Sequence, residues 1–361
     1  MLFKRIEGAG GKLLLTCSTG GHLAELLRLE GHVGRHADSL WVTFDTPQSR
    51  HLLAGRRVQF IPYIGPRDLR GTIASARAFH HILKRERFDG ALSTGAAVAV
   101  AGLSVAAAHG LPASYVESFG RVLGPSLTGR LLARVPGVAL LTQHADWARG
   151  HWRACDSILA GFRRVDAPQA RPIERVFVTL GTMQGYRFDS VVDALLKSRY
   201  VNERTVWQLG HTQRRDRLPG RVHDILTPDR FCEAVRGADV VISHAGVGTL
   251  VELLNMGVYP VQAVRRAERR EHVDNHQCEL GDLVNRIGIG IAVDGPAVSD
   301  SVIEEAARWR MVDCVGAGAQ AECAAPRERR AEPARAREAA GRPRWADADL
   351  RAAPVHPARR P

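Results

Sequence analysis

Residues 238–254 read Ala238-Asp-Val-Val-Ile-Ser-His-Ala-Gly-Val-Gly-Thr-Leu-Val-Glu-Leu-Leu254. Asp239 to Ile242 is a short apolar run of the kind that forms a buried strand, and Leu250, Leu253 and Leu254 recur at helical spacing. Between them, Gly246 and Gly248 permit a sharp turn and let a ligand approach the main chain with no side chain in the way. The spacing predicts a helix starting near Val247. Its free N–H groups and positive dipole end then face whatever lies beyond the strand's carboxyl end, a place suited to phosphate. A purely structural strand-turn-helix corner has the same local pattern, because a single glycine turn is a weak signal.

Three neighbouring stretches favour a ligand. Arg175-Val-Phe-Val-Thr-Leu-Gly-Thr182 is a second strand ending in a glycine turn, so two phosphate-approaching loops can face one another. Asp274-Asn-His-Gln277 gathers four hydrogen-bonding side chains in four residues, which suits the hydroxyls of a sugar. Glu252 falls one turn into the helix, where a carboxylate can accept from both hydroxyls of a ribose.

With these motifs in order, the second half of the chain resembles the nucleotide-sugar-binding half of family 28 glycosyltransferases. The stretches concerned are Val176–Thr182, Ile242–Thr249 and Asp274–Gln277. The resemblance implies a UDP-sugar donor held by Gly181, Thr182, Ser243, His244, Ala245, Gly246, Gly248, Thr249, Glu252, Asn275, His276 and Gln277. It also places the uracil ring against the loop Thr227 to Phe231.

The first half repeats the strand-and-turn logic. Lys12-Leu-Leu-Leu-Thr-Cys17 reads as a first parallel strand, followed by Ser18-Thr-Gly-Gly-His22. In the next helix Leu23, Leu26 and Leu27 fall opposite Glu25 and Arg28. Leu40–Phe44, Val58–Pro62, Phe88–Gly95 and Pro112–Ser118 read as further strands. Gly71–Arg87 reads as a basic amphipathic helix whose charges suit either a solvated outer face or a membrane surface. The Ala-rich run 96–108 is too short to span a bilayer and reads as a buried helix. Strands alternating with helices predict an α/β chain of two Rossmann-like domains facing each other across a cleft.

Ser18–His22, Ser93–Gly95, Tyr115–Val122 and Ser126–Leu132 resemble the acceptor-side, membrane-recruiting subunit of the dolichol-linked N-acetylglucosaminyltransferase and its bacterial relatives in capsule and exopolysaccharide synthesis. Both halves would then share one polypeptide with the two-domain GT-B fold. The implied acceptor-side residues are Gly20, Gly21, Ser118 and Arg121. The eukaryotic subunit carries an N-terminal membrane anchor. Here Lys4 and Arg5 are followed by no long apolar region, so neither an anchor nor a signal peptide is expected.

The expected organisation is an N-terminal acceptor-side domain over 1–161, a linker over 162–174, a UDP-sugar domain over 175–314, and an Ala/Arg/Pro-rich tail over 315–361. That tail has six of the eighteen prolines and almost no large apolar residue, a composition expected to be disordered. It holds ten Arg and six acidic residues, so it supplies +4 of the formal charge of +12 and leaves +8 on the body. A basic body favours an anionic partner. Aromatics at 6% are too few for a base-stacking platform, which sets nucleic acid aside and leaves a phosphorylated substrate or an anionic membrane surface. The six cysteines form no CxxC pair, so no zinc site is indicated.

Sugar transfer from a nucleotide diphosphate needs the pyrophosphate held, its developing charge met, and a base for the acceptor proton. Helix N-terminal amides can do the first two. There is no Asp-x-Asp motif, so no metal or other cofactor is expected. His22 is the first candidate base, with an orienting hydrogen bond as its alternative. Glu117 is the rival base, or else positions the acceptor. The sequence thus predicts an inverting transferase moving a sugar from a UDP-sugar to a lipid-linked saccharide, peripheral at the cytoplasmic face of the membrane. A soluble transferase for a small aglycone, a UDP-sugar 2-epimerase and a non-catalytic UDP-binding subunit fit the same frame.

Overall fold

The computed structural model describes residues 10–65, 68–167, 172–181, 185–272 and 275–314. The tail over 315–361 lies outside them. Strands β1 (Leu13–Cys17), β2 (Leu40–Phe44), β3 (Arg57–Ile61), β4 (Gly90–Gly95), β5 (Ala113–Val116), β6 (Val138–Thr142) and β7 (Trp152–Ala154) form a parallel sheet in the order β3-β2-β1-β4-β5-β6-β7. Helices α1 (Gly21–Val33), α2 (Pro47–Leu52), α3 (Leu69–Arg85), α4 (Ala97–Ala108) and α5 (Leu127–Leu132) connect them. Every residue of β1 and β2 is buried, because a parallel sheet is covered on both faces and so selects continuous apolar runs.

The chain leaves this sheet through β8 (Phe162–Asp166). It then builds β9 (Val176–Thr179), α6 (Asp189–Leu195), β10 (Val206–Gln208), β11 (Arg221–His223), α7 (Pro228–Gly237), β12 (Val240–His244), α8 (Val247–Asn255), β13 (Val261–Val264), α9 (His276–Ile287) and β14 (Ile291–Asp294). These strands make a second parallel sheet, β11-β10-β9-β12-β13-β14. Helix α10 (Asp300–Ala307) and β15 (Trp309–Asp313) end the described chain. In each sheet the order reverses beside its first strand, between β1 and β4 and between β9 and β12. Ligands of open α/β sheets lie outside the strands' carboxyl ends at such points. The two Rossmann-like halves predicted from sequence are therefore present.

The Ala-rich helix α4 lies between α3 and α5 with Val98, Leu103 and Ala106 buried. Arg77, Lys84 and Arg85 stand exposed on α3, opposite buried Phe79 and Ile82. No helix among the described residues is long and apolar enough to cross a membrane.

Two expectations change. The stretch read as a linker is in part a strand: Phe162–Asp166 pairs antiparallel with β15, Phe162 opposite Asp313 and Asp166 opposite Trp309. The chain thus returns through β15 to close the junction where it first crossed. The second change concerns α1, where Glu25 and Arg28 fall opposite the apolar face. One side of α1 covers the first sheet and the other packs on α8, so Leu23, Leu26 and Leu29 share a core cluster with Leu250, Val251 and Leu254. Glu25 is consequently 1% exposed.

Arg28 becomes a rivet between the halves. Its Nε donates to the Ile158 carbonyl at 2.5 Å, its Nη1 to Asn255 Oδ1 at 3.0 Å, and its two Nη atoms to the Asp313 carboxylate at 2.8 and 3.2 Å. The guanidinium also lies over the Phe162 ring, 3.9 Å from its centroid. A bidentate pair of this kind is stronger than a surface ion pair, and removing one partner leaves the others unsatisfied. Arg28→Ala is expected to lower the unfolding free energy by about 2–3 kcal/mol in urea titrations. A loss within about 0.5 kcal/mol would show that the cluster behaves as an exposed pair.

Candidate functional site

A cleft of about 940 Å³ lies between the carboxyl edges of the two sheets. Its centre is a contact between main chains. Gly20, with φ +80°, caps α1, and Gly21 follows it against the first turn of α8. A Cβ on Gly21 would stand 3.3 Å from the Gly248 amide nitrogen, and one on Gly248 would stand 3.1 Å from the Gly21 nitrogen. Val247 fits into the same gap: a Cβ on Gly120 would meet its Cγ2 at 2.8 Å. Three loops, 20–21, 118–121 and 246–248, thus converge because three positions lack side chains.

Both helices present amides here that have no acceptor among the described residues. The first hydrogen bond of α8 runs from the Leu250 N–H to the Gly246 carbonyl, and that of α1 from Ala24 to Gly20. The amides of Val247, Gly248 and Thr249, and of Gly21, His22 and Leu23, lie ahead of those bonds at two positive helix ends. Arg121 lines the cleft and makes no ion pair among the described residues. The Glu252 carboxylate also lines it, half-buried and with no hydrogen bond from the described residues, and burial raises its pKa. The loop before α7 forms one wall through Ile225, Leu226, Pro228 and Phe231, the region expected to meet a base.

Two histidines occupy matching places. The His22 ring lies against Gly95 at the end of β4, and the His244 ring against Gly181 beyond β9, so each sits at its own sheet's reversal point. Burial pushes His22 down to about 4, with the Thr94 backbone opposing and Arg121 adding to the shift. Burial and then Arg265 push His244 down to about 3. Both rings are therefore neutral near pH 7, and Nδ1 of each is buried with no hydrogen-bond partner.

Other candidates are committed elsewhere. Glu117 lines the cleft, but its carboxylate accepts from Tyr115 Oη at 2.9 Å and from the Ser126 amide and hydroxyl at 2.9 and 3.0 Å. It thereby fixes the start of α5, which fits positioning better than proton transfer. Ser118 lines the cleft with its hydroxyl donated to Glu25 at 2.5 Å. Ser243 is fully buried and accepts from Gln262, Ala245 donates its amide to Ala263, and Gln277 accepts from the Arg265 amide at 3.2 Å. Asn275 holds its own loop through the Ala267 amide and Glu268. None of these four lines the cleft, because alternate residues of a strand and the inner face of a helix turn into the core. Thr182, Asp274 and the His276 side chain lie outside the described residues.

Sequence reasoning missed Glu25, Gln48 and His51. Glu25 lines the cleft and accepts from Ser118 Oγ, the Phe119 amide at 3.2 Å and Gln143 Nε2 at 3.5 Å. Burial drives its pKa up to about 8 against those hydrogen bonds, with Glu117 adding to the rise. The available signal was spacing: Glu25 follows His22 by three residues and so shares its helix face. Gln48, on α2, accepts from the Gly20 amide at 2.8 Å, and His51 stands 3.9 Å from Asp229 of the other half.

Residues 221–293 match the glycosyltransferase family 28 C-terminal domain. Acinetobacter baumannii MurG aligns over 81% of this chain and 89% of its own, with a TM-score of 0.50 and 18% identity. The glycotransferase of kitacinnamycin and CalG4, the calicheamicin glycosyltransferase, each align over 82% of this chain at TM-score 0.50 and 16% identity, and over 90% and 89% of their own lengths. At such identities the likeness is one of fold, and the fold is that of GT-B glycosyltransferases. No curated protein matches the sequence.

Glu25 offers a test of this electrostatic reading. Its folded pKa lies above the ordinary 4.5, so its contribution to stability is complete at low pH and is lost as pH rises through about 8. The histidines, shifted downward, change stability only below about 6.5. Between pH 6.5 and 8.5 the wild-type melting temperature should fall, and Glu25→Gln should flatten that slope, which for one proton is at most about 1.4 kcal/mol per pH unit. Parallel wild-type and variant curves would exclude the raised pKa.

Proposed function

We propose that the protein is an inverting glycosyltransferase that moves a sugar from a UDP-sugar to a lipid-linked, polyprenyl-diphosphate saccharide in polysaccharide synthesis. The observation that carries this reading is the meeting of the α1 and α8 amino ends at Gly21 and Gly248, flanked by Arg121 on one side and Glu252 on the other. A diphosphate there gains amides from both halves, and the ribose of the same nucleotide reaches the free Glu252 carboxylate. Charge developing on the leaving diphosphate is met by groups already in place. On this reading the protein itself contributes no metal or other cofactor.

His22 is the proposed base. Its ring is neutral at working pH, and an anion bound at the neighbouring amides would raise its basicity. An attack by the acceptor hydroxyl opposite the leaving diphosphate inverts the anomeric carbon. Glu117 and Glu25 hold the 118–126 loop, which carries Arg121 and borders the acceptor side.

A lipid-linked acceptor is favoured by the surface beside the cleft. Leu127 is 59% exposed and lines the opening, and Leu123 and Leu131 stand out nearby at 77% and 40%. Tyr63 is exposed in the loop after β3, Leu69 and Ile73 at the start of α3, and Arg130 and Arg134 flank the α5 leucines. Apolar side chains among cations suit an anionic membrane, which supports the reading of a peripheral enzyme at its cytoplasmic face.

The direct test is a panel of UDP-sugars assayed with polyprenyl-diphosphate saccharides and, separately, with small aglycones. Transfer to the lipid-linked acceptors is expected. Transfer only to aglycones, or conversion of the donor alone, would overturn the acceptor assignment. His22→Ala should lower turnover by about two to four orders of magnitude at saturating substrates, and near-wild-type turnover would remove it as the base. Glu252→Ala should weaken UDP binding in calorimetry by about tenfold while leaving inorganic pyrophosphate unaffected; unchanged UDP affinity would exclude the ribose contact.

A further inference from the structure

The run Arg265 to Val273 reads in sequence as a charge-rich loop, as suited to solvent as to function. The structure divides it. Arg266 and Arg269 pair with Asp294, and Arg269 also with Glu271, near the surface. Arg265 is instead 2% exposed, among the largest fully buried side chains of the chain.

Arg265 makes no ion pair among the described residues. Nη2 donates to the Leu180 carbonyl at 2.6 Å and Nη1 to the Glu271 carbonyl at 3.3 Å, while Nε has no partner. The guanidinium stands 5.0 Å from the centroid of the Phe188 ring. The nearby Glu271 carboxylate is already taken by Ser190, the Arg266 amide and Arg269. The Glu271 carboxylate is close enough to favour the charged form of Arg265, but it is shared with Arg269. A guanidinium whose own hydrogen bonds go only to carbonyls is expensive to bury, and a buried charge that is only partly compensated acts on whatever anion comes near.

The direction in which this charge acts is set by its neighbours. Leu180 precedes Gly181, whose φ of +76° turns the chain at the mouth of the second sheet. Gly181 and Gly246 confine the His244 ring, since a Cβ on either would overlap it. Gly181, His244 and Gly246 all line the cleft. Arg265 is also the second cause of the low His244 basicity, so its field reaches that wall.

We propose that Arg265 is a positioning residue that serves as built-in counter-charge for the donor's diphosphate: it fixes the Leu180–Gly181 turn and places a permanent positive charge behind His244 without touching the ligand. This rests on the UDP-sugar reading of the cleft. It adds a residue that is absent from the cleft wall and selects for the charged part of the donor rather than for its base or ribose.

The test compares UDP with uridine by calorimetry on the full chain, in wild type, Arg265→Met and Arg265→Lys. Wild type should bind UDP more tightly than uridine; equal binding would overturn the donor reading itself. Arg265→Met should lower UDP affinity by about tenfold or more while moving uridine by less than about twofold. Arg265→Lys keeps the charge and loses the fork, so it should retain most of the preference for UDP. A purely structural arginine would weaken both ligands together in the Met variant, and that result would overturn the proposal. Should the Met variant fail to fold, the Lys variant decides alone: preference kept supports the counter-charge, and preference lost refutes it.

Discussion

The cleft depends on a contact between main chains. Gly21 and Gly248 bring the amino ends of α1 and α8 within van der Waals reach, and Val247 fills the space that Gly120 leaves open. Side chains at these positions would separate the helix ends and divide one concentrated patch of positive potential into two weaker ones. The rest of the molecule serves this contact. The reversal of each sheet puts a helix amino end at its carboxyl edge, and the shared core under α1 and α8 fixes their angle. Arg28 with the β8–β15 pair ties the junction behind them.

Around that contact the polar groups sort by burial. Those with hydrogen-bond partners inside the protein, such as Glu117, Ser243 and Gln277, hold loops in place. Those whose side chains find no hydrogen-bond partner among the described residues include Arg121, Glu252 and the two histidine Nδ1 atoms, and Arg121 and Glu252 face the cleft. A protein interior seldom leaves a polar group unmatched, so unmatched groups on a concave wall point to a ligand that supplies the missing partner. Here the complement is a ligand with negative charge for the amides and arginine, and hydroxyls for the carboxylate.

The two-sheet architecture was legible because parallel strands demand continuous apolar runs, such as Leu13–Cys17 and Val240–Ile242, and because glycine turns mark where such strands end. The start of α8 at Val247 was legible for the same reason. Two-sided burial was not. Helical periodicity sets Glu25 and Arg28 opposite the apolar face, and only the packing of a second domain against α1 shows that this face is buried too. The β8–β15 pairing escaped as well, since an exposed strand with Arg163 and Arg164 has the composition of a linker and its partner lies far along the chain. In the Asp274–Gln277 motif, residue types suited to a sugar do not reveal that Gln277 turns inward, because a hydrogen-bonding side chain serves a backbone amide as readily as a hydroxyl.

The central claim is that one anion is gripped by main-chain amides from both halves. It is tested most directly by amide NMR on the protein labelled at glycine, histidine and threonine, titrated with UDP. The account predicts that the Gly21 and His22 amides of the first half and the Gly248 and Thr249 amides of the second shift together, with one saturation curve. Shifts confined to a single half, or none at the two helix ends while UDP binds elsewhere, would contradict it.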